Sequence, residues 1–265
     1  MTFQNQVVLI TGASNGIGRC LAIDLAARGA VVIGCGRSAE RLQTISAELQ
    51  RASPLSAAVQ CDVSKLDQVR EMVAAVLGKF GKIDILINNA GIGMRKPFAE
   101  TPIGVIEELI KTNYLGAVYC THEALPSMIA RGNGHIVNIS SAGGIIGAPN
   151  IAGYCASKFA MNGLSEGLYH ELAPCGINVS VICPGPVRTD FNKSFADTPP
   201  KSPASLVVSP EFVSAAVIKA IEKKRFEAVL PPSLALICWV KRMAPNLFRA
   251  VARRSFRHIV KGKKT

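Results

Sequence analysis

The sequence has few charged residues and no long apolar run, and each shortage excludes a class of protein. Charged residues make up 18% of the 265 positions and hydrophobic residues 49%, a balance that excludes a disordered chain. The longest apolar stretches reach about ten residues, short of the ~20 that span a bilayer. Residues 1–6 lack the basic and then apolar order of a signal peptide. We therefore expect a folded, cytoplasmic protein.

Cysteine and histidine are too scattered to build a scaffold or a metal centre. The eight Cys form no CxxC pair, and most lie in apolar runs, which is typical of buried thiols in a reducing compartment. The four His, at 122, 135, 170 and 258, have no metal-ligand spacing. We expect neither disulfides nor a metal.

Acidic residues are absent from the C-terminal end. Residues 229–265 contain nine Lys or Arg and no Asp or Glu, so they carry +9 of the net charge of +12. At 100° per residue, the apolar side chains of 247–260 fall on one face of a helix and the basic ones on the other. The two sets are Phe248, Val251, Ala252, Phe256 and Ile259 against Arg249, Arg253, Arg257 and Lys261.

This basic end has three open interpretations. It is a helix packed on its own domain or on a second subunit, a peripheral membrane contact on anionic lipid, or a surface for an acidic partner or nucleic acid. Nucleic acid is the weakest of these, because no aromatic residues alternate with the basic ones as a stacking surface. We expect no nucleic-acid binding.

Apolar, β-rich segments alternate with helical patterns along the first 230 residues. The predicted strands are 6–11, 30–35, 55–61, 83–88, 135–141, 178–183 and 227–230, and the predicted helices 16–28, 39–51, 65–80, 102–130, 154–173 and 210–223. Ser38 and Ser64 are expected to cap two of the helices. The pattern predicts an α/β fold, a doubly wound parallel sheet (Rossmann-like) in a single domain, residues 1–230, with a basic C-terminal helical extension, residues 231–265.

The first strand runs directly into a glycine-rich turn, Thr11-Gly12-Ala13-Ser14-Asn15-Gly16-Ile17-Gly18. Glycines allow a tight turn and a close approach of the backbone to a pyrophosphate, while the following helix N-terminus supplies N–H donors. A tight strand–helix turn without a ligand is the alternative. Because the turn follows the first strand of a βαβ unit, the dinucleotide interpretation is favoured.

The residues after the second and third strands bear on the choice of nucleotide. The second strand ends at Gly36-Arg37, with no acid to bind the ribose hydroxyls of NAD. Arg37 offers a cation to a 2′-phosphate, so NADP(H) is favoured over NAD(H), although a solvated loop arginine is the alternative. Asp62 can accept from the adenine amine or act as a helix-start acid.

Tyr154 and Lys158 are separated by one helical turn, so their side chains share a face. A phenol with a pKa near 10 is a poor base at neutral pH, and a neighbouring ammonium favours the phenolate. Ser141 lies at the end of a predicted strand, where its hydroxyl can polarise a carbonyl. In the context of a nucleotide turn, this set predicts proton transfer. Glu107 and Glu108 are interpreted instead as helix-start charges.

These motifs and their order resemble the short-chain dehydrogenase/reductase family, in its short form with one Rossmann-like domain. The matching elements are the Thr11–Gly18 turn, Asp62, Asn88-Asn89-Ala90-Gly91, Asn113, Ser141, Tyr154-x-x-x-Lys158 and Pro184-Gly185-Pro186-Val187-Arg188-Thr189. They cover about residues 5–230.

The resemblance implies a reaction and four catalytic residues. Tyr154 would be the general acid/base, and Ser141 would hold and polarise the substrate oxygen. Lys158 would bind the nicotinamide ribose and lower the pKa of Tyr154, while Asn113 would position a water that relays protons to Lys158. The implied chemistry is hydride transfer between a nicotinamide and a carbonyl or secondary alcohol.

The resemblance also assigns the cofactor contacts. The Asn89–Gly91 segment would line the adenosine side and stabilise the sheet, and the Pro184–Thr189 segment would cover the nicotinamide. The predicted cofactor residues are Gly12, Ser14, Asn15, Gly16, Ile17, Gly18, Arg37, Asp62, Val63, Asn89, Ala90, Gly91, Tyr154, Lys158, Pro184, Gly185, Val187 and Thr189.

The substrate pocket of the family is formed by loops that are apolar here, which predicts a ketoacyl, lipid-like or steroid substrate. The side chains expected there are Ile145, Ile146, Ile151, Phe191, Phe195, Leu206 and either Leu234 or Trp239. The long segment 186–209 is expected to act as a lid. No charge clamp for a small acid is evident, although Arg95 and Lys96 can serve as one.

Two further expectations follow from the resemblance. The family is often dimeric or tetrameric, which implies a homo-oligomer formed by the long helices near 102–130 and 154–173. A binding protein that senses NADPH, with its basic end engaging a partner or membrane, is the alternative to an enzyme. The complete set of catalytic residues favours the enzyme.

Overall fold

Seven parallel strands form one sheet in the computed structural model, which describes residues 3–191 and 203–261. They are β1 (Val7–Thr11), β2 (Val31–Gly36), β3 (Ala57–Gln60), β4 (Ile85–Asn88), β5 (Gly134–Ile139), β6 (Ile177–Pro184) and β7 (Glu227–Leu230). Their order across the sheet is β3-β2-β1-β4-β5-β6-β7. The order reverses between β1 and β4, and a ligand crevice is expected at the carboxyl ends of the strands there. The predicted doubly wound parallel sheet is confirmed.

Helices cover both faces of the sheet. They are α1 (Gly16–Ala26), α2 (Ala39–Ala52), α3 (Leu66–Phe80), α4 (Ile103–Ile110), α5 (Gly116–Arg131), α6 (Ala152–Leu172), α7 (Pro210–Glu222), α8 (Pro232–Met243) and α9 (Pro245–Lys261). In β1, Val8 and Ile10 pack with α1, α2 and α7, while Val7 and Leu9 pack with α3, α5 and α6. This two-sided burial explains why the strands are nearly continuous runs of Val, Ile and Leu.

The single helix predicted over 102–130 is wrong in one respect. A π-helical turn, Lys111–Leu115, separates α4 from α5, and the fully buried Asn113 lies in it. The Asn113 side chain accepts a hydrogen bond from the Ile92 N–H at 2.7 Å and donates one to the Ile92 carbonyl at 2.9 Å. Glu107 and Glu108 lie within α4 rather than at a helix start, which corrects their interpretation.

One of the two predicted serine caps is present. The Ser38 hydroxyl caps α2, but the N-cap residue of α3 is Lys65 rather than Ser64. The Asp62 carboxylate accepts hydrogen bonds from the N–H of Ser64 at 3.0 Å and from its hydroxyl at 2.8 Å. Ser64 is therefore held in a turn made by Asp62, one residue before the helix begins.

The two C-terminal helices differ in burial. Leu234 and Cys238 of α8 are buried and pack with Val181 and Cys183 of β6, whereas none of residues 245–257 of α9 is buried. The boundary placed after residue 230 by the sequence stays a prediction. No helix within 3–191 and 203–261 is long and apolar enough to cross a membrane.

Candidate active site

A cavity of about 920 Å³ opens at the carboxyl ends of the strands. Of the residues predicted to be catalytic or to contact the cofactor, all but Gly18 and Asn113 line it. Residues that the sequence did not single out also line it, among them Arg41, Thr112, Ile139, Ser140 and Asp190. The cavity therefore brings together side chains from loops after six of the strands, as expected at a topological switch point.

The glycine-rich turn forms one wall of the cavity. Gly12 and Gly16 have φ angles of +66° and +54°, which favour glycine. A Cβ on Gly18 would lie 2.3 Å from the Gly12 carbonyl oxygen, so Gly18 allows α1 to start against the turn. The Asn15 side chain accepts a hydrogen bond from the Gly16 N–H at 2.7 Å and caps α1. The helix N-terminus faces the cavity through Gly16 and Ile17, where it favours an anion.

Asn89 ties the glycine turn to the loop after β4. Its side-chain amide donates hydrogen bonds to the carbonyls of Thr11 at 2.9 Å and Gly12 at 3.1 Å. The Thr11 hydroxyl accepts in return from the N–H groups of Asn89 at 3.0 Å and Ala90 at 2.9 Å. A Cβ on Gly12 would lie 2.9 Å from the Ala90 Cα, so the two loops meet in direct contact.

Two arginines line the end of the cavity next to β2. Arg37 follows β2, and Arg41 lies one helical turn later on α2; both are exposed. Ser14 lies opposite, with its hydroxyl 3.2 Å from the position of a Cβ on Gly36. Arg41 was missed by the sequence reasoning, although its spacing of four residues from Arg37 was a usable signal.

Asp62 holds the turn before α3 and also lies at the cavity, so its predicted contact with the adenine amine stays a prediction. One carboxylate oxygen is engaged by Ser64, and the side chain also lines the cavity beside Val63. Val63 is buried against Gly116, where a Cβ would lie 2.7 Å from its side chain.

The Tyr154 phenol is buried and hydrogen-bonded to Ser141. The Ser141 hydroxyl accepts from the Gly143 N–H at 3.0 Å, which leaves its own proton for Tyr154. Burial raises the pKa of Tyr154 to about 12, although the hydrogen bond with Ser141 acts in the opposite direction. The predicted lowering of this pKa by Lys158 is therefore not found in the chain alone.

The position of Lys158 explains this difference. Its ammonium donates a hydrogen bond to the Ile139 carbonyl at 2.8 Å, at the end of β5. The side chain is buried, and burial lowers its pKa to about 8. Helical spacing places Lys158 and Tyr154 on one face, but a carbonyl from a distant strand binds the ammonium.

Asn113 is buried next to the site and does not itself line the cavity. Besides its two bonds to Ile92, it donates to the Ser157 hydroxyl at 3.0 Å. A Cβ on Gly91 would lie 3.2 Å from the Asn113 side-chain oxygen and 3.8 Å from the Lys158 ammonium. Asn113 therefore fixes the β4 loop next to Lys158. The implied role in positioning a water stays a prediction.

The segment after β6 closes the opposite wall of the cavity. The Gly185 N–H donates to the Leu230 carbonyl at 2.7 Å, and Val187 pairs with Val208 in a parallel bridge. A Cβ on Gly16 would lie 3.0 Å from the Thr189 side chain, so this segment meets the glycine turn. The middle of the predicted lid, including Phe195, lies outside the described residues.

The remaining part of the cavity is apolar. Its lining includes Ile92, Ile146, Ala148, Ile151, Phe191 and Leu234. Ile145 and Leu206, which were also expected there, pack around Leu234 without lining the cavity. Trp239 is 57% exposed and does not line it either, because its side chain lies on the outer face of α8. Arg95 lines the cavity, whereas Lys96 is exposed and does not.

Comparison with known families decides the identity of the chain. The family model described as short chain dehydrogenase matches residues 6–200. The chain is a short-chain dehydrogenase/reductase. Membership makes it an oxidoreductase that acts on alcohols or carbonyls.

Several relatives of this short-chain dehydrogenase/reductase are known. It is 36% identical over 269 residues to dehydrogenase/reductase SDR family member 7B of Danio rerio, covering 95% of this chain and 86% of the relative. It is 40% identical over 193 residues to farnesol dehydrogenase of Aedes aegypti, covering 70% and 79%. It is 37% identical over 197 residues to a 3beta-hydroxysteroid dehydrogenase of Mediterraneibacter gnavus, covering 74% and 71%.

Solved structures of the family have the same fold. A short-chain dehydrogenase/reductase from Burkholderia phymatum in complex with NAD is 26% identical, with a TM-score of 0.84 and coverage of 93% of this chain and 96% of that one. An alcohol dehydrogenase from Thermococcus sibiricus complexed with 5-hydroxy-NADP is 30% identical, with a TM-score of 0.77 and coverage of 86% and 96%. These neighbours bind nicotinamide dinucleotides of both kinds.

The residues of this short-chain dehydrogenase/reductase fit such a dinucleotide. Gly12 and Gly16 line the cavity with backbone atoms, the N-terminus of α1 suits the pyrophosphate, and the Asp62 carboxylate is a possible acceptor for the adenine amine. At the other end Lys158, Tyr154 and Ser141 lie around one region of the same cavity. Bound there, the nicotinamide would supply or accept the hydride.

Proposed function

We propose that this enzyme is an NADP(H)-dependent oxidoreductase that interconverts a carbonyl and a secondary alcohol in an apolar substrate. The observation that carries the proposal is the position of the Tyr154 phenol, bonded to Ser141 in a cavity with a dinucleotide wall and an apolar wall. A substrate oxygen at this point reaches both hydroxyls.

The protonation state of Tyr154 suits the reduction of a carbonyl. With a pKa of about 12, the phenol holds its proton at neutral pH and can give it to the oxygen of a reduced substrate. Ser141 would fix that oxygen by hydrogen bonding. The buried Lys158 ammonium, held at Ile139, would bind a ribose hydroxyl and strengthen proton transfer once the cavity is filled.

The preference for NADP(H) is supported by charge at the adenosine end. Arg37 and Arg41 line the cavity beyond β2, and Gly36 provides no carboxylate for a ribose diol. A 2′-phosphate placed there would meet two guanidinium groups, whereas the 2′-hydroxyl of NAD(H) would gain nothing from them.

An apolar substrate is supported by the lining of the cavity and by two relatives. Farnesol and a 3β-hydroxysteroid, the compounds in the names of those relatives, are both large and apolar. In this chain Ile92, Ile146, Ile151 and Leu234 form a wall of matching character.

The decisive experiment measures NADPH oxidation with neutral ketones of increasing apolar size, using wild type and Tyr154→Phe. We expect turnover to rise with apolar size and to fall at least ~100-fold in the variant, with NADPH affinity nearly unchanged. Tyr169→Phe is a matched control, since Tyr169 is exposed on the same helix α6. Tight NADPH binding without turnover of any ketone would refute the enzyme and favour a nucleotide-sensing protein.

A contact with anionic membranes is the second part of the proposal. On α8, Leu236, Trp239 and Met243 are 62%, 57% and 67% exposed, and on α9 Leu247 and Val251 are 65% and 56% exposed. Exposed large apolar side chains on two successive helices favour an interaction surface here. The exposed Arg side chains of α9 give it the charge to complement an anionic lipid surface.

The place of this surface relative to the cavity supports lipid rather than a second copy of the chain. Leu234 lines the cavity from the first turn of α8, two residues before the exposed Leu236. A membrane bound at the exposed face of α8 would therefore be separated from the apolar wall by the width of this one helix. Pairing two copies through this face would bring like charges together.

The proposal also includes a cytoplasmic location with peripheral membrane contact. It further includes a homo-oligomer formed through α4, α5 and α6.

A further inference from the structure

We infer that Arg95 forms a carboxylate-binding site in the apolar part of the cavity, so that the substrate is an apolar carbonyl or alcohol that also carries a carboxylate. The inference rests on the proposed function for the position of the substrate. It adds a polar group to a pocket that is otherwise lined by aliphatic and aromatic side chains.

Arg95 is held in place by the backbone on both sides. Ile92 is fixed by one hydrogen bond donated to the Asn113 side chain and one accepted from it, and the Lys96 N–H donates to the Asn150 carbonyl at 2.7 Å. The loop that carries Arg95 is therefore tied to the segment that precedes α6. The guanidinium lies close enough to Cys155, the neighbour of Tyr154, to influence the pKa of its thiol.

The Arg95 side chain lacks the partners that other arginines of the fold have. Its Nε is buried and has no hydrogen-bond partner, and no carboxylate among the described residues forms an ion pair with it. Arg19, Arg131 and Arg242, in contrast, each bind a carboxylate within 2.9 Å. A buried donor without a partner costs about 1–3 kcal/mol, so a ligand that accepts from it would be bound favourably.

The surroundings of Arg95 select the type of ligand. Ile92, Met94, Ile151 and Phe191 form the apolar cluster around Tyr154, and burial lowers the pKa of Arg95. A single anion placed there would restore the balance of charge. Lys96 is exposed and does not line the cavity, so the loop after β4 supplies a single cation here, which suits a monoanion. A carboxylate also matches the fork of N–H groups on guanidinium.

The test compares two ligands of equal length, decanoate and decanamide, by calorimetry on the full chain with NADP⁺ present and absent. We expect wild type to bind decanoate at least ~10-fold more tightly than decanamide, and Arg95→Gln to weaken decanoate by ~10- to 100-fold while changing decanamide less than ~3-fold. Lys96→Gln, the neighbouring exposed cation, should behave like wild type, and Arg95→Lys should keep part of the preference.

Two outcomes would overturn the inference. One is an equal affinity of wild type for decanoate and decanamide, and the other is a preference for decanoate that persists in Arg95→Gln. The second outcome would assign the carboxylate to the basic helices instead. Because binding is measured without turnover, a retained preference in an enzyme that reduces no ketone would refute the proposed function alone.

Discussion

Lys158 is part of the proposed catalytic site, but burying its charge destabilises the folded state. Burial lowers its pKa from 10.5 to about 8, so keeping the charge at pH 7 costs the folded state about 3 kcal/mol. This cost is present below about pH 8 and disappears as the pH rises toward 10.5. The bond to the Ile139 carbonyl keeps the ammonium inside the cavity. The spacing of Tyr154 and Lys158 was visible in the sequence, but this partner was not.

The choice of nucleotide is also decided by single residues. We expect Arg37→Asp to weaken NADPH by at least ~10-fold and to change NADH by much less, because the new carboxylate repels a 2′-phosphate and can accept from a ribose diol. Dissociation constants for both nucleotides, measured by fluorescence, check this. Arg51→Asp is the control, since Arg51 is exposed on α2, the helix that follows Arg37, and does not line the cavity. Equal losses for NADPH and NADH would show that Arg37 does not read the phosphate.

At the scale of elements, the sheet was predictable and the π turn was not. Buried parallel strands appear in the sequence as continuous apolar runs, so each of the seven could be placed within a few residues. The π turn at Lys111–Leu115 inserts one residue into a helix whose apolar pattern continues on either side. The turn places Asn113 to bond with Ile92, 21 residues earlier in the chain. Periodicity cannot report such a contact.

The pair of strands β5 and β6 carries a pH-sensitive contact. His135 is buried with its Nε2 2.8 Å from the Ser180 hydroxyl, which itself donates to the Arg225 carbonyl at 2.6 Å. Burial lowers the pKa of His135 to about 4, and the charge of Lys224 acts in the same direction. The neutral ring is therefore the form that the sheet accommodates.

This contact predicts a loss of stability in acid. Above pH 6.5 His135 is mostly neutral in the folded and in the unfolded chain. As the pH falls toward 4, His135 binds a proton in the unfolded chain but stays mostly neutral in the folded chain. We expect this to remove about 2–3 kcal/mol from the free energy of unfolding between pH 7 and 4.5. Urea unfolding at both pH values should show a smaller difference for His135→Gln than for wild type. His122→Gln, an exposed control, should keep the full difference.

For the whole molecule, charge and apolar exposure are concentrated at one end. The first 228 residues carry 21 basic and 18 acidic residues, whereas 229–265 carry only basic ones. The sequence showed this asymmetry and the amphipathic pattern of 247–260, but it did not show that α8 exposes Trp239 and Met243 beside a buried face. That arrangement depends on the packing of Leu234 and Cys238 against β6.

The membrane proposal can be tested with the natural fluorescence of the chain. Trp239 is its only tryptophan and lies on the exposed face of α8, so its emission should shift to the blue when vesicles of phosphatidylserine and phosphatidylcholine are added. Vesicles of phosphatidylcholine alone should give a smaller shift, because they lack the charge that complements α9. Cosedimentation with the anionic vesicles checks the binding independently.

Two double variants separate the apolar and charged contributions. Leu247→Ser with Val251→Ser should reduce binding to the anionic vesicles by ~10-fold or more, since it removes two exposed apolar side chains from α9. Arg249→Glu with Arg253→Glu should abolish the preference for anionic lipid, whereas Arg51→Glu on α2 should not. A blue shift that depends on protein concentration without vesicles would point to pairing of two copies. An unchanged spectrum at every lipid composition would refute a membrane role of α8 and α9. An apolar substrate would then reach the Leu234 side of the cavity from solvent.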